Sequence, residues 1–431
     1  MRSPAFNSRQ VAFEVWLPGQ RVGWLERAST GLTRFTPDGT WQAEGQHPRL
    51  GLDFLRTPGP HATGSGHLPP WFENLLPEED SALRHRLARL HGLRETDSLG
   101  LLSVLGSDLP GAVDVRPVTT HSTPNSMPET LRPTQTEDSP PIRLRFSLAG
   151  MQLKLSMGAQ GSRFVLPGRS GTGDHYIVKL PGQEYPDLPE VEATTMLWAK
   201  LTGHEVPENL VIDTERIVGL PSDWPLYSPR AYAIRRFDRR PDGTRLHHED
   251  FCQALGEWPR GKYGGGQSHW TFDKLLLLVA EAAGESEARR FAERLGFVIA
   301  CGNNDAHLKN WSFVWGAADR PILSPCYDLV ATVAWASFGW RRRAGYRGPE
   351  LALALGKVRP FAQLDRDALL RHQERSEQPW AREAIMAGIE RARAAWSSVQ
   401  ADAPPSMREA LHQHWRFVPV LRDAGGLGKM T

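Results

Sequence analysis

The spacing of apolar residues changes once along this chain, near Glu249. Before this point, short segments alternate apolar with polar residues and are rich in β-branched and aromatic side chains, a pattern typical of strands. After it, apolar residues recur at intervals of three and four, which indicates amphipathic helices. The strand-like segments are VAFEVWL, RVGWL, IRLRFSLAG, QLKLSM, SRFVLP, HYIVKLP and YAIRRFDRR, and the helical ones include FDKLLLLVAEAAG, SEARRFAERLGFVIACG and REAIMAGIERARAAWSSVQ. This order predicts an α+β fold in which a β-rich lobe precedes a mainly α-helical lobe.

The chain is long enough to divide into domains. At 431 residues it should hold two or three compact units, because single cores rarely grow beyond about 250 to 300 residues. A stretch dominated by Pro, Ser and Thr, from Val118 to Pro141, cannot bury enough apolar area to order itself alone. We therefore predict an N-terminal α/β subdomain over residues 1–116, a flexible linker over 117–141, a β-rich lobe over 142–240 and a helical lobe over 241–431. One helix, in PEVEATTMLWAKLTG, should interrupt the β-rich lobe and stop near Gly203.

Composition excludes several classes of protein. An apolar share of 40%, a charged share of 23% and a formal charge of +2 are ordinary for a globular protein, and they do not indicate obligatory binding to nucleic acid or to an anionic membrane. Cys252, Cys301 and Cys326 are far apart, so the sequence supports neither a disulfide framework nor structural zinc. We find no export signal and no apolar run long enough to span a bilayer. We therefore expect a cytoplasmic protein.

The segment CGNNDAHLKN, residues 301–310, concentrates polar groups directly after an apolar run. Asp305 and Asn310 have the D-x-x-x-x-N spacing of phosphoryl-transfer enzymes, in which the aspartate accepts a hydroxyl proton and the asparagine binds magnesium. A second acidic ligand should follow, and Asp328 in SPCYDLVAT is suitable. Since the intervening WSFVWGAADRPIL indicates a hairpin, the fold could bring Asn310 and Asp328 together.

A kinase also needs a cation that holds the nucleotide phosphates. Lys179 lies in the apolar strand HYIVKLP, and Glu192, in the next helix, could orient it. Ala149 and Gly150 form a short turn between strands that could approach phosphates. Each residue also has an ordinary structural explanation, as an edge-strand lysine, a helix-terminal glutamate or a capping aspartate. Their order along the chain, however, is the order that a two-lobed kinase requires.

Together, these motifs resemble the HipA family, the serine/threonine kinase toxins of bacterial toxin–antitoxin modules. The strings that carry the resemblance are LPPWFENLLPE, SLAGMQLKL, YIVKLP, RRFDRR, HHEDFCQALG, NNDAHLKNWSF and PCYDLVA, in that order from about Val11 to past Leu355. The resemblance implies a two-lobed protein-kinase-like fold of HipA type with an extra N-terminal subdomain. It also implies ATP and Mg²⁺ as cofactors.

The resemblance assigns roles to individual positions. Asp305 falls on the catalytic aspartate, Asn310 and Asp328 fall on the magnesium ligands, and Ser147 matches the serine that family members autophosphorylate to inactivate themselves. The positions that correspond to nucleotide-binding residues are Ala149, Gly150, Met151, Gln152, Leu153, Lys154, Lys179, Glu192, Arg235, Arg236, Phe237, His307, Lys309 and Tyr327. Of these, Ala149 to Lys154 match the loop over the phosphates, and Arg235 to Phe237 match the hinge strand that holds adenine.

The family further implies a helix-turn-helix antitoxin, similar to HipB, that dimerises and binds operator DNA, so that this chain would meet DNA only indirectly. The family also implies that the substrate is a protein of translation, such as an aminoacyl-tRNA synthetase. The basic stretch Trp340–Gly348 could contact DNA phosphates or form a solvated face. PPWFENLLP could face the antitoxin or form a packed turn. Two alternatives stay open: a small-molecule phosphotransferase, and a DNA-bound regulatory component without kinase activity.

Overall fold

A computed structural model describes most of the chain, and its residues fall into two compact units. The described residues are 11–28, 30–64, 66–106, 108–118, 153–161, 163–165, 173–220, 224, 226–265, 269–339 and 349–424. The first unit comprises Met1–Val178, Arg216–Trp224 and Asp238–Pro259, and the second comprises Lys179–Glu215, Pro225–Phe237 and Arg260–Thr431. Residues 119–141 of the predicted linker, Trp340–Gly348 and five predicted site residues lie outside the described residues; the site residues are Ser147, Ala149, Gly150, Met151 and Gln152. The predicted domain bounds stay a prediction.

The described residues contain both strands and helices throughout. The strands are β1 (Val11–Leu17), β2 (Gln20–Arg27), β3 (Thr33–Pro37), β4 (His61–Thr63), β5 (Asp114–Pro117), β6 (Leu153–Gln160), β7 (Arg163–Val165), β8 (His175–Leu180), β9 (Asn209–Asp213), β10 (Ile217–Val218), β11 (Arg230–Arg235), β12 (His247–Asp250), β13 (Ser312–Trp315), β14 (Ile322–Leu323), β15 (Glu350–Leu355) and β16 (Val358–Pro360). The helices are α1 (Gly39–Ala43), α2 (Leu52–Arg56), α3 (Pro70–Glu73), α4 (Ala82–Leu90), α5 (Ser98–Leu105), α6 (Leu188–Leu201), α7 (Phe251–Ala254), α8 (Phe272–Ala283), α9 (Glu285–Cys301), α10 (Val333–Gly339), α11 (Arg366–Arg375), α12 (Ala381–Trp396), α13 (Pro405–Phe417) and α14 (Pro419–Ala424). None of these described helices is both long and apolar enough to cross a membrane.

An antiparallel sheet in the order β4-β3-β2-β1-β5 organises the N-terminal part of the first unit. Along β1, Phe13, Val15 and Leu17 are buried and alternate with partly exposed residues, as period-two patterning requires. Phe35 of β3 packs against Phe72, with ring centroids 5.0 Å apart. The string PPWFENLLP is buried within this unit from its tryptophan to its second leucine, so it packs into the interior.

The segment that follows β11 completes the core of the first unit. Glu249 of β12 is fully buried and accepts hydrogen bonds from the backbone N–H of Leu52, at 2.8 Å, and from the indole of Trp71, at 3.0 Å. Asp238 accepts a hydrogen bond from the N–H of Gly111, and Arg239 donates to the Gly111 carbonyl, each at 2.8 Å. These bonds hold the loop that precedes β5 against residues far away in sequence.

A second group of strands in the first unit contains part of the predicted β-rich lobe. Its order is β10-β7-β6-β8, with β6 and β7 antiparallel and β7 and β10 parallel. Strand β8 belongs to this unit only as far as Val178. All six residues of β8 are buried. The sequence predicted strands at β6, β7 and β8, and the structure confirms all three.

The second unit is mainly helical, as predicted for the chain beyond Glu249. Helices α9 and α12 approach closely, since a Cβ at Gly296 or at Gly388 would collide with backbone of the other helix. Trp198 of α6 is fully buried, packs on Phe297 and Trp396, and donates its indole N–H to the carbonyl of Ala392 at 2.7 Å. Helix α6 is therefore fixed to the helical core.

Two further local predictions meet the structure in different ways. The hairpin predicted between Asn310 and Asp328 is confirmed, because β13 and β14 pair antiparallel. The hinge strand was expected to include Arg235, Arg236 and Phe237, but β11 ends at Arg235. The chain turns there because the following residues, Asp238 and Arg239, are held by the bonds of the first unit described above.

Candidate active site

Lys179 lies between two carboxylates. Its ammonium group donates hydrogen bonds to both Glu192 and Asp328, all within the second unit. Lys179 and Glu192 are almost fully buried, whereas the side chain of Asp328 keeps 21% of its surface exposed. Burial alone would lower the pKa of Lys179, but the charges of Asp328 and Glu192 outweigh burial and raise that pKa above its ordinary value. The lysine is therefore charged at neutral pH.

Helix α6 determines where Glu192 lies. Besides the Trp198 contacts, the hydroxyl of Thr195 accepts a hydrogen bond from the N–H of Ala331 at 3.1 Å. Asp187, just before the helix, accepts a hydrogen bond from the indole of Trp335 at 2.9 Å. Both donors follow Asp328 closely in sequence, so these bonds fix the segment of Asp328 to the helix that carries Glu192.

The segment with Asp305 begins where α9 ends. Gly302 adopts the left-handed conformation, at φ 67°, and the side chain of Val333 occupies the space that a Cβ would need. The side-chain oxygen of Asn303 then accepts a hydrogen bond from the N–H of Asp305 at 2.9 Å. The carbonyl of Asp305 accepts from the side-chain amide of Asn310 at 2.7 Å. The backbone at Asp305 is thus fixed, while its side chain is exposed to solvent.

The hairpin brings the neighbours of Asn310 and Asp328 together. The hydroxyl of Tyr327 donates to the carbonyl of Lys309 at 3.1 Å and also contacts the hydroxyl of Ser312. Asp328 itself has a φ of 54°, a conformation that is uncommon for residues other than glycine and that occurs often at functional sites. Tyr327 directly precedes Asp328, and Lys309 directly precedes Asn310. The hydrogen bond between Tyr327 and Lys309 therefore joins the two segments that carry the predicted metal ligands.

The donor set of Asn310 and Asp328 fits a hard divalent cation. They offer amide and carboxylate oxygens, the ligand type that Mg²⁺ prefers. The amide nitrogen of Asn310 is committed to the Asp305 carbonyl, so its amide oxygen is the atom suited to bind a cation. Lys179, Glu192 and Asp328 together carry one positive and two negative charges, and this excess of negative charge favours a further cation.

Aromatic and basic side chains surround these groups. Phe237 stacks on Tyr327, with ring centroids 5.9 Å apart and planes 27° apart. His307 and Lys309 are buried in the segment between Asp305 and Asn310. Arg236 is buried, while Arg235 forms a loose pair, at 3.6 Å, with Glu208.

The remaining predicted residues divide into two groups. Leu153 and Lys154 lie on β6 in the first unit, where Lys154 is buried. Ser147 and the residues from Ala149 to Gln152 are outside the described residues. The structure thus brings together Lys179, Glu192 and Asp328, and it links Asp305 to Asn310.

Sequence reasoning missed two tyrosines. The ring of Tyr232 lies 5.4 Å from the ammonium nitrogen of Lys179, and burial, together with Glu192 and Asp328, raises the pKa of its phenol. The hydroxyl of Tyr263 donates to a carboxylate oxygen of Asp305 at 2.6 Å. The sequence signal for Tyr263 was weak, because GKYGGG resembles an ordinary turn.

A second cluster of possible metal ligands has a structural explanation. Among the described residues, His67, Glu73 and Glu79 place ligand atoms within 4.8 Å of one another. However, one oxygen of Glu73 accepts from the N–H of Leu68 and the other from Arg84, which is itself buried. Glu73 is therefore a structural acceptor of the first unit.

Two family models match most of the chain. Residues 13–116 match the HipA N-terminal domain, and residues 146–396 match the HipA-like C-terminal domain. The chain is 33% identical over 425 residues to a Sinorhizobium fredii protein named "Putative kinase Y4dM", covering 96% of this chain and 98% of that protein. It is 28% identical over 366 residues to the "Serine/threonine-protein kinase toxin HipA" of Shewanella oneidensis, covering 77% of this chain and 78% of that one.

A solved structure shows the same fold. The structure of HipA, HipB and operator DNA from Shewanella oneidensis contains a chain that matches with a TM-score of 0.65 at 21% identity, covering 95% of this chain and 99% of that one. This likeness confirms the predicted α+β, two-lobed protein-kinase-like fold of HipA type. Since the two domain profiles together extend from residue 13 to residue 396, the chain belongs to the HipA family.

Proposed function

We propose that this protein is an ATP-dependent serine/threonine protein kinase that acts as the toxin of a toxin–antitoxin module. The observation that carries the proposal is the contact of Lys179 with both Glu192 and Asp328, in the same unit as the exposed carboxylate of Asp305. The fold alone would not suffice, because one fold supports many functions. A buried lysine between two carboxylates, with an exposed aspartate in the same unit, supplies the kinds of group that phosphoryl transfer uses.

In the proposed reaction, each residue has a defined task. Lys179 binds phosphate oxygens of ATP, and Glu192 holds the lysine in place. Asn310 and Asp328 would hold Mg²⁺, which when bound neutralises phosphate charge. Asp305 orients the acceptor hydroxyl and takes its proton as the new oxygen–phosphorus bond forms and the bond to ADP breaks.

The nucleotide would be held by further residues. The backbone of Arg235, Arg236 and Phe237 would bind adenine, while His307, Lys309 and Tyr327 would line its site. The loop over the phosphates would be Ala149, Gly150, Met151, Gln152, Leu153 and Lys154. Phosphorylation of Ser147 would place a dianion beside this loop, where it would compete with ATP for the same N–H groups and inactivate the enzyme.

The proposed partners follow from the family. A relative is named as a toxin, and the solved structure with the same fold is named as a complex with HipB and operator DNA. We therefore infer a HipB-like antitoxin for this chain, with DNA contacted through that antitoxin. The substrate would be a cytoplasmic protein of translation, such as an aminoacyl-tRNA synthetase, whose phosphorylation arrests growth.

Incubation of the full chain with γ-labelled ATP and Mg²⁺ tests the proposal. We expect label on the protein itself, at Ser147, and a loss of label by at least about a thousandfold in Asp305→Gln. Asp319→Asn is the matched control, because Asp319 is exposed and lies in the β13–β14 turn. Equal labelling of the wild type and Asp305→Gln would overturn the proposal. Label that appears only on an added aminoglycoside would favour a small-molecule phosphotransferase, and absence of all label would favour a regulatory protein.

A further inference from the structure

Tyr263 contacts the proposed catalytic aspartate, and the functions assigned above give it no task. Its hydroxyl donates a hydrogen bond to Oδ1 of Asp305 at 2.6 Å, a short distance for such a bond. A hydrogen bond to an ionised carboxylate is stronger than one between neutral groups. This contact is therefore strong enough to influence the orientation of the Asp305 side chain.

The position of Tyr263 is itself well defined. Its ring meets the ring of His307 edge to face, at a centroid distance of 5.1 Å. The preceding residue, Lys262, accepts a hydrogen bond from the N–H of Leu308 at 3.1 Å. Two contacts thus join the segment of Tyr263 to the segment that contains Asp305, one through backbone and one through side chains.

Gly264, the residue after Tyr263, also has a restricted backbone position. Its φ is 65°, and a Cβ at this position would collide with the carbonyl oxygen of Trp270 and approach Leu353. Its N–H donates to the carbonyl of Gly261 at 2.9 Å, which closes a turn around Tyr263. The backbone is therefore held by contacts on both sides of Tyr263, and these contacts place its hydroxyl beside Asp305.

Asp305 needs such a support. The bonds to Asn303 and Asn310 involve its backbone N–H and carbonyl, and neither of them contacts its carboxylate. An exposed carboxylate can rotate, and misorientation of a base reduces the rate of proton transfer. A bond at Oδ1 also fixes the direction of Oδ2, since the carboxylate is planar.

We propose that Tyr263 is a positioning residue that holds the carboxylate of Asp305 in the orientation needed to receive the acceptor hydroxyl. This inference rests on the proposed function, because it assigns Asp305 the task of base. It extends that function by adding a residue that contacts neither ATP nor metal in the proposed reaction. Removal of the Tyr263 hydroxyl should therefore affect turnover more than ATP binding.

The first test is kinetic and uses the full chain with a protein acceptor. Tyr263→Phe keeps the ring and removes only the hydroxyl, so we expect kcat to fall about 10- to 100-fold while KM for ATP changes less than about twofold. Tyr227→Phe is the control, since Tyr227 is 47% exposed, and it should match the wild type. An unchanged or increased kcat in Tyr263→Phe would overturn the proposal, an increase because the tyrosine would then be competing with the acceptor.

The second test needs no catalytic activity. Melting temperatures are measured for the wild type, Tyr263→Phe, Asp305→Ala and the double variant. If the side chains are coupled, the shift in the double variant is smaller than the sum of the two single shifts, whereas Tyr227→Phe combined with Asp305→Ala gives additive shifts. Additive shifts for Tyr263 and Asp305 would overturn the contact. Non-additive shifts in a protein that transfers no phosphate would support the contact and overturn only the proposed function.

Discussion

Two buried carboxylates, Glu249 in the first unit and Glu192 in the second, have opposite surroundings. Glu249 accepts hydrogen bonds from an indole and a backbone amide, both of which are neutral and fixed in place. Glu192 contacts the charged Lys179, which also contacts the partly exposed Asp328. The first arrangement holds distant segments together, whereas the second places excess negative charge near solvent. Burial is thus common to both carboxylates, and what sets Glu192 apart is that it shares one cation with a second, partly exposed carboxylate.

The string RRFDRR contains the same contrast within six residues. Arg235, Arg236 and Phe237 belong to the second unit, where Phe237 stacks on Tyr327. Asp238 and Arg239 belong to the first unit and bind the loop around Gly111. A motif that is continuous in sequence thus belongs to both units. Substitutions in its first three residues and in its last three should therefore affect different properties of the protein.

Of the substitutions that test this contrast between carboxylates, Asp328→Asn should have the largest effect. Loss of one negative charge removes a proposed metal ligand, so we expect phosphoryl transfer to fall about a thousandfold, or about 4 kcal/mol of transition-state stabilisation. The free energy of unfolding should change by less than about 1 kcal/mol, because Lys179 keeps its contact with Glu192. Labelled phosphate transfer and urea denaturation measure the two quantities. Full activity in this variant would show that Asp328 is structural, like Glu249.

Glu249→Ala should have the opposite profile. It leaves the N–H groups of Leu52 and Trp71 buried without this acceptor, which should lower the free energy of unfolding by about 3 kcal/mol. Asp80→Ala is the control in the same unit, because Asp80 is exposed. Denaturant unfolding followed by tryptophan fluorescence measures the loss. A change below about 0.5 kcal/mol would remove the basis for calling Glu249 structural.

A third prediction concerns pH and compares one buried histidine from each unit. Burial lowers the pKa of His247 in the first unit and of His414 in the second to about 4, below the ordinary value of 6.5. The unfolded chain then binds more protons than the folded one between these values, so stability falls as pH falls from 6.5 to 4. Each histidine should contribute a loss of about 1.5 kcal/mol between pH 6.5 and 5.

Substitution separates the two contributions. His247→Gln and His414→Gln should each reduce the fall in the free energy of unfolding that occurs as the pH is lowered from 6.5 to 4. His412→Gln, at an exposed position, should not reduce it. Urea denaturation at half-unit steps of pH measures the slope. An unchanged slope in either variant would mean that the histidine concerned has the same pKa in the folded and in the unfolded chain, so that its burial does not lower its pKa.

Sequence reasoning was accurate for features that depend on residues close together in the chain. Strand β8, helix α6 and the β13–β14 hairpin were predictable because their apolar periodicity and turn residues lie within each segment. The sequence offered Glu192 as a candidate to orient Lys179, and the two side chains are in contact. That Glu192 orients the lysine for ATP stays a prediction. The prediction that Asp328 is a second acidic group of the site agrees with its contact to the same lysine. That it binds metal stays a prediction.

Other features depend on contacts between residues that are far apart in sequence, which local sequence patterns do not predict. Nothing in GKYGGG indicated that Tyr263 would reach Asp305, 42 residues away. The end of β11 at Arg235 was also missed, because it depends on bonds between Asp238 and a loop 127 residues earlier. Polar side chains find partners by three-dimensional proximity, so sequence patterns indicate that a site exists more readily than they give its complete membership.

The smallest effect should come from Arg235→Ala, in the half of RRFDRR that belongs to the second unit. The side chain of Arg235 is 34% exposed and pairs at 3.6 Å with Glu208, which is 60% exposed, and such surface pairs contribute about 0 to 1 kcal/mol. We expect stability to change by about 0.5 kcal/mol or less and KM for ATP by less than twofold, since adenine would be bound by backbone at this position. Phe237→Ala removes the stack on Tyr327 and should raise KM for ATP severalfold. Steady-state kinetics over a range of ATP concentrations compares the two variants, and a larger KM change in Arg235→Ala would mean that the nucleotide contacts this side chain directly.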